Sequence, residues 1–388
     1  MQVVFYIISF LFLFYILLIL YYWKSWISIS DFSPDNDRDT ISDFKPPVKI
    51  SVIIPARNEE KNIAACLDSV CNQSYPKNLF EVLVVDDHST DNTAVIIKNY
   101  EAQQVKLISL KDFISCAELN SYKKKAIEIA IQHSTGELIV TTDADCIVPE
   151  SWLQIIAAFY VQFNPAFIAA PVAINCSNKF IEFFQALDFM MLQGITGASV
   201  HKKIHSMCNG ANLAYTKKAF EEVGGFSGID SIASGDDMLL MHKIYKRYPD
   251  KVMFLKSKEV IVQTAPVNSI GEFFNQRIRW ASKADKYDDK RIFAVLLLVY
   301  LVNLLLLVLP VIALFNTAQC SMFSLWICLL LLKTIAELIF LYPVAKFFGK
   351  QSMLWMFPLM QPFHIIYTVI AGWLGKFGSY NWKERKVK

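Results

Sequence analysis

The chain has 388 residues, of which 54% are hydrophobic and 19% charged, and its formal net charge is +3. That charge is too small to indicate a nucleic-acid partner, and the hydrophobic share is too high for a wholly soluble protein. The eight cysteines form no CxxC pair and no dense framework, which is typical of a reduced, cytosolic setting. The apolar residues are concentrated in residues 1–23 and 292–375, and the sequence between them has the composition of an ordinary soluble domain.

Residues 1–23 carry no charge and are long enough to cross a bilayer, for which about 20 apolar residues suffice. A cleaved signal peptide is the alternative, but the segment lacks a positively charged start and a small-residue cleavage site. We therefore predict an uncleaved transmembrane anchor. Residues 24–47 are predicted to be a linker, because its second part is polar and acidic and contains three prolines.

From residue 48 onward, short apolar strands alternate with helical patterns. Strands are predicted at 49–55, 80–85, 105–109 and 137–143, with helices between them. This alternation is typical of an α/β domain with a parallel sheet and crossover helices. No GxGxxG follows the first strand and no GxxxxGK[ST] is present, so a dinucleotide-binding fold and a P-loop are disfavoured.

The fourth predicted strand ends in Asp143-Ala144-Asp145. Side chains two residues apart on an extended chain point the same way, so both carboxylates can face one ligand. Two close carboxylates repel each other unless a cation lies between them or one takes a proton. A divalent ion that also binds substrate phosphates relieves that repulsion. An Asp-rich turn without a ligand is the alternative.

Three apolar segments close the chain, at 292–315, 322–345 and 352–373. The first two are predicted to cross the membrane. In the second, Lys333 and Glu337 are four residues apart and can pair on one helix face.

The third segment is predicted to be re-entrant or to lie along the membrane interface. It is interrupted by prolines and polar residues, namely Pro358, Gln361, Pro362 and His364. A full crossing would also place the basic tail, 376–388, outside, against the positive-inside tendency. We therefore expect the catalytic domain and the tail on the cytoplasmic side, and an integral protein of a bacterial inner membrane.

Motifs in a consistent order resemble those of family 2 glycosyltransferases of the membrane-anchored bacterial type. They are residues 51–60 (SVIIPARNEE), 84–91 (VVDDHSTD), 143–145 (DAD), 208–213 (CNGANL) with Gly225-Phe226, the pair Asp236-Asp237, and 276–280 (QRIRW), which fits QxxRW. The resemblance covers about residues 48–282. Two departures stand out. Asp236 replaces the usual Glu, and in the lysine run 123–125 only Lys125-Ala126 matches the family's Gly-Lys-Ala turn.

The resemblance implies a GT-A fold, an α/β nucleotide-sugar-binding domain with a mixed, mainly parallel sheet, over residues 48–290, followed by a membrane region, 291–375. The implied donor-binding residues are Pro55, Ala56, Arg57, Glu59, Asp86, Asp87, Lys125, Asp143 and Arg279. The implied acceptor-binding residues are Asn209, Gly210, Gln276 and Trp280. A Mg²⁺ or Mn²⁺ ion is implied at Asp145 and Asp143, and catalysis at Asp237 and Asp236.

The implied roles agree with physical chemistry. A metal ion at the DxD motif would neutralise the diphosphate leaving group. The Arg279 guanidinium suits phosphate geometry. Asp237 would take the proton from the acceptor hydroxyl, which gives direct displacement with inversion. Without the motif order, Asp86 and Asp87 would be read as turn formers, Asp236 and Asp237 as N-terminal helix acids, and Arg279-Trp280 as an interfacial anchor.

Three hypotheses follow for function. The first is a membrane-bound glycosyltransferase that uses a nucleotide sugar, UDP-linked, and a lipid or lipid-linked glycan acceptor. The second is a processive polysaccharide synthase of the cellulose or poly-N-acetylglucosamine type, which QxxRW favours, although three C-terminal apolar segments are few for a polymer channel. The third is an inactive membrane scaffold that keeps the fold.

Overall fold

The computed structural model describes every residue except 1, 35–47, 115–120, 178, 205–206, 233–234, 284–288, 316–318, 379, 383–384 and 388. Most of the predicted linker therefore lies outside the described residues. The chain divides into two compact units. The first, the sheet unit, comprises Ile29–Asn175 and Ser199–Ala265, and the second, the helical unit, comprises Met1–Ser28, Cys176–Ala198 and Pro266–Lys388. This division differs from the predicted single domain, 48–290, because two parts of that range group with the apolar helices.

The sheet unit is built on a mixed sheet of seven strands, β1 Ile50–Ala56, β2 Phe80–Asp86, β3 Val105–Ser109, β4 Leu138–Thr141, β6 Phe167–Ala169, β8 Leu213–Thr216 and β9 Val252–Phe254. Their order in the sheet is β3-β2-β1-β4-β8-β6-β9. Strands β1 to β4 run parallel, and β8 is antiparallel to both of its neighbours. A three-stranded sheet is formed by β5 Cys146–Ile147, β10 Val262–Thr264 and β7 Val172–Ile174. The predicted α/β architecture with a mixed, mainly parallel sheet is confirmed.

The centre of this sheet is buried on both faces. Ile53, Leu83 and Val140, one from each of three adjacent strands, have no exposed surface. Continuous β-branched and aliphatic runs are expected where crossover helices cover both faces. The helices of the sheet unit are Ile63–Cys71, Thr93–Lys98, Tyr122–His133, Trp152–Phe163, Lys217–Glu222 and Met238–Arg247.

Among its described residues, the helical unit contains four helices that are long and apolar enough to cross a membrane, by length and composition. They are Gln2–Ser28, Lys290–Leu314, Gln319–Phe347 and Phe357–Phe377. The unit also holds most of the helix Phe180–His201, the helix Ile270–Ala281 and two antiparallel strands, β11 Tyr380–Trp382 and β12 Arg385–Val387. The first helix continues five residues beyond the predicted end of the anchor.

The last apolar segment is one uninterrupted helix, Phe357–Phe377, preceded by a 3-10 stretch, Gln351–Met356. Pro358 lies in the first turn of the helix, where its missing N–H costs nothing. Pro362 lies inside the helix without ending it. The prediction that the chain turns back within this segment is therefore wrong for residues 357–377. The alternative, that residues 352–373 lie along the membrane interface, stays a prediction.

A fully buried polar network lies among the membrane-length helices. The Lys333 ammonium is 2.8 Å from Glu337 Oε1 and donates to Gln361 Oε1 at 2.7 Å. The Gln361 amide donates to Glu337 Oε2 at 2.6 Å, and the Tyr15 hydroxyl donates to Glu337 as well. The predicted Lys333–Glu337 pair is confirmed, and the network around it joins the first, third and fourth of these helices.

Removing one charge from this network is expected to be costly. The Lys333 side chain is 0% exposed and that of Glu337 3% exposed. Lys333→Met leaves a buried carboxylate without its cation, which costs about 3–5 kcal/mol in a buried pair. Lys346→Met, on an exposed position of the same helix, is the matched control. Thermal unfolding in detergent should show a large loss for the first variant and almost none for the second. Equal stability of the two variants would contradict a stabilising role of the network.

Candidate active site

The predicted site residues of the sheet unit follow the carboxyl ends of three parallel strands. Ala56 of β1 lies opposite Asp86 of β2, and Ile53 of β1 lies opposite Thr141 of β4. The chain therefore leaves all three strands at one edge of the sheet. Open α/β sheets bind ligands at this edge.

Arg57 connects the first two of these strand ends. Its guanidinium donates to the Asp87 carbonyl at 2.9 Å, and it lies 3.9 Å from Asp87 Oδ1. Asp87 N–H in turn donates to the Ala56 carbonyl at 2.8 Å. Both Asp86 and Asp87 are buried. Arg57 thus holds the loop after β2 beside the end of β1, where Pro55 and Ala56 directly precede Arg57.

The loop after β2 is shaped by hydrogen bonds to its acidic side chains. Asp86 Oδ1 accepts from the Ser89 N–H at 3.3 Å, and Asp87 Oδ1 lies 3.1 Å from His88 Nδ1. His88 has φ = +54°, an uncommon value for a non-glycine residue, and its ring is buried against Tyr122. The geometry fixes both carboxylates at the strand end, as expected of groups that receive a ligand. Glu59 lies further out, where it accepts from Asn62 at the start of the next helix.

Lys123 brings two predicted motifs together. Its ammonium is 2.7 Å from Asp143 Oδ1 and 3.2 Å from Asp236 Oδ2. Asp143 belongs to the DxD motif after β4, and Asp236 belongs to the acidic pair before the helix Met238–Arg247. One cation therefore contacts both the predicted metal-binding motif and the predicted catalytic pair.

The charge on Lys123 is secured by its neighbours. Burial alone would lower the pKa of its ammonium, but the carboxylates of Asp143, Asp236 and Asp237 outweigh burial and raise the pKa above its usual value. Lys123 is therefore charged throughout the neutral range.

The family resemblance implies a different lysine of the run in the donor site. Lys125 pairs with Glu128 at 2.7 Å on a partly exposed face of the helix. Lys124 is buried and donates to the Ile229 and Ile232 carbonyls. The resemblance implies Lys125 because Lys125-Ala126 matches the family's Gly-Lys-Ala turn. Three consecutive lysines cover most of a helical turn, so the sequence pattern does not show which of them faces the strand ends. A donor-binding role for Lys125 stays a prediction, while the structure places Lys123 in the site.

We expect Lys123→Met to lower kcat/KM for the donor by roughly tenfold or more. The substitution removes the cation that contacts both the DxD motif and the acidic pair, and a displacement of catalytic groups by about 1 Å can cost about a hundredfold in rate. Lys125→Met, two residues further along the same helix, should change kcat/KM less than about twofold, as a surface pair contributes little. Steady-state kinetics of both variants give the comparison. A larger effect of Lys125→Met would restore the original prediction.

The acidic pair is held at the start of a helix. Asp237 is the N-cap of Met238–Arg247, and its Oδ1 accepts from the Met238 N–H at 2.7 Å. Asp236 is 13% exposed and pairs with Lys123. Both carboxylates therefore lie at the N-terminal end of this helix, where the helix dipole is positive, as the sequence predicts.

Gly210 lies in contact with this cluster. A Cβ at position 210 would lie 3.1 Å from Lys123 Nζ, 3.3 Å from Asp236 Oδ2 and 3.8 Å from Asp237 Cβ. The Gly210 carbonyl accepts from the Thr141 hydroxyl at 2.9 Å, which fixes the segment beside the end of β4. The neighbouring Asn209 accepts from the Ala211 N–H. The predicted acceptor segment therefore lies beside the DxD strand and the acidic pair.

The donor set of the DxD motif fits a divalent cation that is shared with a substrate. Asp143 and Asp145 are both partly exposed. Among the described residues, no group of three or more His, Cys, Asp or Glu side chains could hold a metal ion. Mg²⁺ typically uses one or two carboxylates together with substrate phosphates and waters, so two aspartates are sufficient protein ligands.

Burial, followed by the nearby carboxylate of Asp145, raises the pKa of the Cys66 and Cys146 thiols, so they remain protonated.

Gln276, Arg279 and Trp280 belong to the helical unit. They lie on the helix Ile270–Ala281, hereafter the QxxRW helix. Ser269 caps this helix by accepting from the Glu272 N–H, and Glu272 reaches back to the Asn268 N–H. This reciprocal arrangement resembles a capping box and explains where the helix begins.

Comparison with known families identifies the chain. A family model described as glycosyl transferase family 2 matches residues 51–224, and one described as glycosyl transferase family group 2 matches residues 138–343. The chain belongs to glycosyl transferase family group 2. It is therefore a glycosyltransferase, as predicted, and the predicted family 2 domain is confirmed, whereas the membrane-anchored bacterial type stays a prediction.

Curated members of the wider group are similar to parts of the chain. The glycosyltransferase AglE of Haloferax volcanii is 27% identical over 257 residues, which cover 64% of this chain and 79% of AglE. A beta-monoglucosyldiacylglycerol synthase of Nostoc is 33% identical over 238 residues, covering 60% of this chain and 48% of the synthase. The poly(ribitol-phosphate) beta-N-acetylglucosaminyltransferase TarS of Staphylococcus aureus is 38% identical over 113 residues, covering 29% of this chain and 19% of TarS. Except for AglE, the chain matches about half or less of these relatives.

A solved glycosyltransferase structure shares the fold. The mannosyltransferase PcManGT of Pyrobaculum calidifontis, in complex with GDP-Man and Mn²⁺, superposes with a TM-score of 0.50 at 20% identity. The match covers 89% of this chain and 94% of PcManGT. The similarity establishes the GT-A-like fold predicted from the sequence.

Proposed function

We propose that this glycosyltransferase is an inverting, membrane-bound enzyme that transfers a sugar from a UDP-linked donor to a lipid or lipid-linked glycan acceptor. The observation that carries the proposal is the contact of Lys123 with both Asp143 and Asp236. Because both lie within reach of one ammonium group, the DxD motif and the acidic pair are close together. Transfer requires this closeness, since the activated acceptor must attack the bound donor.

The donor would bind at the strand ends. Asp86 and Asp87 would accept hydrogen bonds from the nucleoside, and Arg57 keeps their loop in position. Asp143 and Asp145 would hold a Mg²⁺ or Mn²⁺ ion, which supplies electrostatic neutralisation of the diphosphate when it is bound. Lys123 and Arg279 would add positive charge for the phosphates.

The acceptor would be activated by Asp237. Lys123 pairs with Asp236, and Asp237 is oriented by the N-terminus of its own helix. A carboxylate in this position can take the proton from the acceptor hydroxyl as the C–O bond forms. Direct attack on the anomeric carbon expels the nucleoside diphosphate and inverts the configuration. Asn209, Gly210, Gln276 and Trp280 would bind the acceptor.

A lipid-linked acceptor is supported by the four helices that are long and apolar enough to cross a membrane. Among the relatives, the name of the Nostoc synthase describes a glycolipid product. Basic residues follow the first apolar segment and precede the second, and such residues favour the cytoplasmic side of a membrane. We therefore place the catalytic domain, which lies between these two segments in the sequence, on the cytoplasmic side of a bacterial inner membrane.

The proposal is tested by incubating the purified full-length protein with labelled UDP-sugars, Mn²⁺ and bacterial membrane lipid extract. We expect label in the organic phase, in a product of one added sugar whose anomeric configuration is inverted relative to the donor. A high-molecular-weight product would instead support the processive synthase. A product with retained configuration would contradict the role of Asp237.

A further inference from the structure

A second charged cluster lies in the helical unit, next to the QxxRW motif. Arg277, one of the two variable positions of that motif, places its NH2 atom 2.7 Å from Asp188 Oδ2. Their side chains are 3% and 4% exposed. Asp188 lies on the helix Phe180–His201, so the pair joins that helix to the QxxRW helix.

The Arg277 guanidinium also lies over two aromatic rings. Its central carbon lies 4.2 Å from the centre of the Trp280 ring and 4.7 Å from that of Phe273. Arg277 and Trp280 are three residues apart, which places them on one face of the QxxRW helix. Phe189, which follows Asp188, places its ring 6.1 Å from that of Trp280. Two consecutive residues of one helix, Asp188 and Phe189, therefore contact Arg277 and Trp280, respectively.

Asp188 is itself fixed from other directions. Its Oδ1 accepts from the Tyr367 hydroxyl at 2.6 Å, and His364 Nε2 lies 3.9 Å away. One turn earlier, the Gln185 side chain donates to the Val267 carbonyl and accepts from the Val267 N–H, just before the QxxRW helix begins. The carboxylate that orients Arg277 therefore has little freedom to move.

We propose that Asp188 and Arg277 are positioning residues for Trp280. The guanidinium covers part of the half-buried indole and restrains its rotation, and the remaining indole surface is left for a sugar of the acceptor. The kinetic part of this inference rests on the proposed function, in which Trp280 binds the acceptor. A planar guanidinium is required, because an ammonium can neutralise Asp188 but cannot stack in the same way.

The geometric part is tested without activity. The full-length protein is labelled with 5-fluorotryptophan in detergent micelles, and the ¹⁹F resonance of Trp280 among its eight tryptophans is assigned by its loss in Trp280→Phe. We expect Arg277→Lys to shift or broaden that resonance and to leave the Trp152 resonance in place. Arg291→Lys, at an exposed arginine paired with Asp289, is the matched control and should change nothing. An unchanged Trp280 resonance in Arg277→Lys would overturn the inference.

The functional part is tested by a double-mutant cycle with membrane lipid extract as acceptor. We expect Arg277→Lys to raise the half-saturating amount of extract about tenfold and to lower kcat less than threefold. In a Trp280→Ala background, the same substitution should change the half-saturating amount less than twofold. Equal effects in both backgrounds would overturn the positioning role. If Trp280→Ala alone left the half-saturating amount unchanged, the acceptor role of Trp280 would fail, whereas the ¹⁹F result would still decide the geometry.

Discussion

Asp237→Asn is expected to lower kcat by about a hundredfold or more, the usual contribution of a general base. The substituted amide cannot take the proton of the acceptor hydroxyl. Asparagine is as good an N-cap as aspartate, so the hydrogen bond to the Met238 N–H and the helix behind it should persist. The affinity for the donor should therefore stay within about twofold of wild type, as measured by titration of the UDP-sugar.

Asp236→Asn is the informative comparison, because it changes the neighbouring carboxylate that pairs with Lys123. Its effect should appear mainly in KM for the donor, since Lys123 would lose its ion pair with Asp236 and keep the one with Asp143. If Asp236→Asn abolished turnover and Asp237→Asn did not, the assignment of the catalytic base would be reversed.

Asp145→Asn is expected to remove most activity and to weaken metal binding. Asparagine keeps the size of the side chain but replaces a charged ligand with a neutral one, and hard divalent cations prefer carboxylate oxygens. In the presence of UDP, Mn²⁺ binding followed by electron paramagnetic resonance should be weakened by about tenfold or more. Chelator should abolish turnover by the wild-type enzyme.

Asp112→Asn, at an exposed aspartate of the sheet unit, is the control for the loss of one negative charge. Its Mn²⁺ affinity and turnover should match the wild type. Full turnover of the wild-type enzyme in chelator, or undiminished Mn²⁺ binding by Asp145→Asn, would exclude a metal at the DxD motif.

The strand ends could be predicted from the sequence because the signals are local. The run before Asp143 is β-branched and apolar, and the buried strands β1, β2 and β4 begin and end within a few residues of their predicted positions. The polar residues that follow such strands in a parallel sheet necessarily meet at one edge.

The partners of these residues could not be predicted in the same way. The choice of Lys123 over Lys125 depends on which side of one helical turn faces the sheet, and three successive lysines hide that information. Arg277 and Asp188 lie far apart in sequence, and neither belongs to a periodic pattern that marks it as a partner of the other. The continuous helix Phe357–Phe377 was missed because prolines normally indicate a break, although Pro358 occupies a first turn where proline is favoured.

The most direct test of the account is acceptor-dependent release of nucleoside diphosphate by the purified full-length protein in lipid nanodiscs. A panel of nucleotide sugars is supplied with Mg²⁺ or Mn²⁺, with and without membrane lipid extract, and wild type is compared with Asp237→Asn. We expect release of UDP from at least one UDP-sugar, stimulated by the extract and reduced at least about a hundredfold in the variant. Release that is equally fast in Asp237→Asn, or no release from any donor by folded wild-type protein, would contradict it.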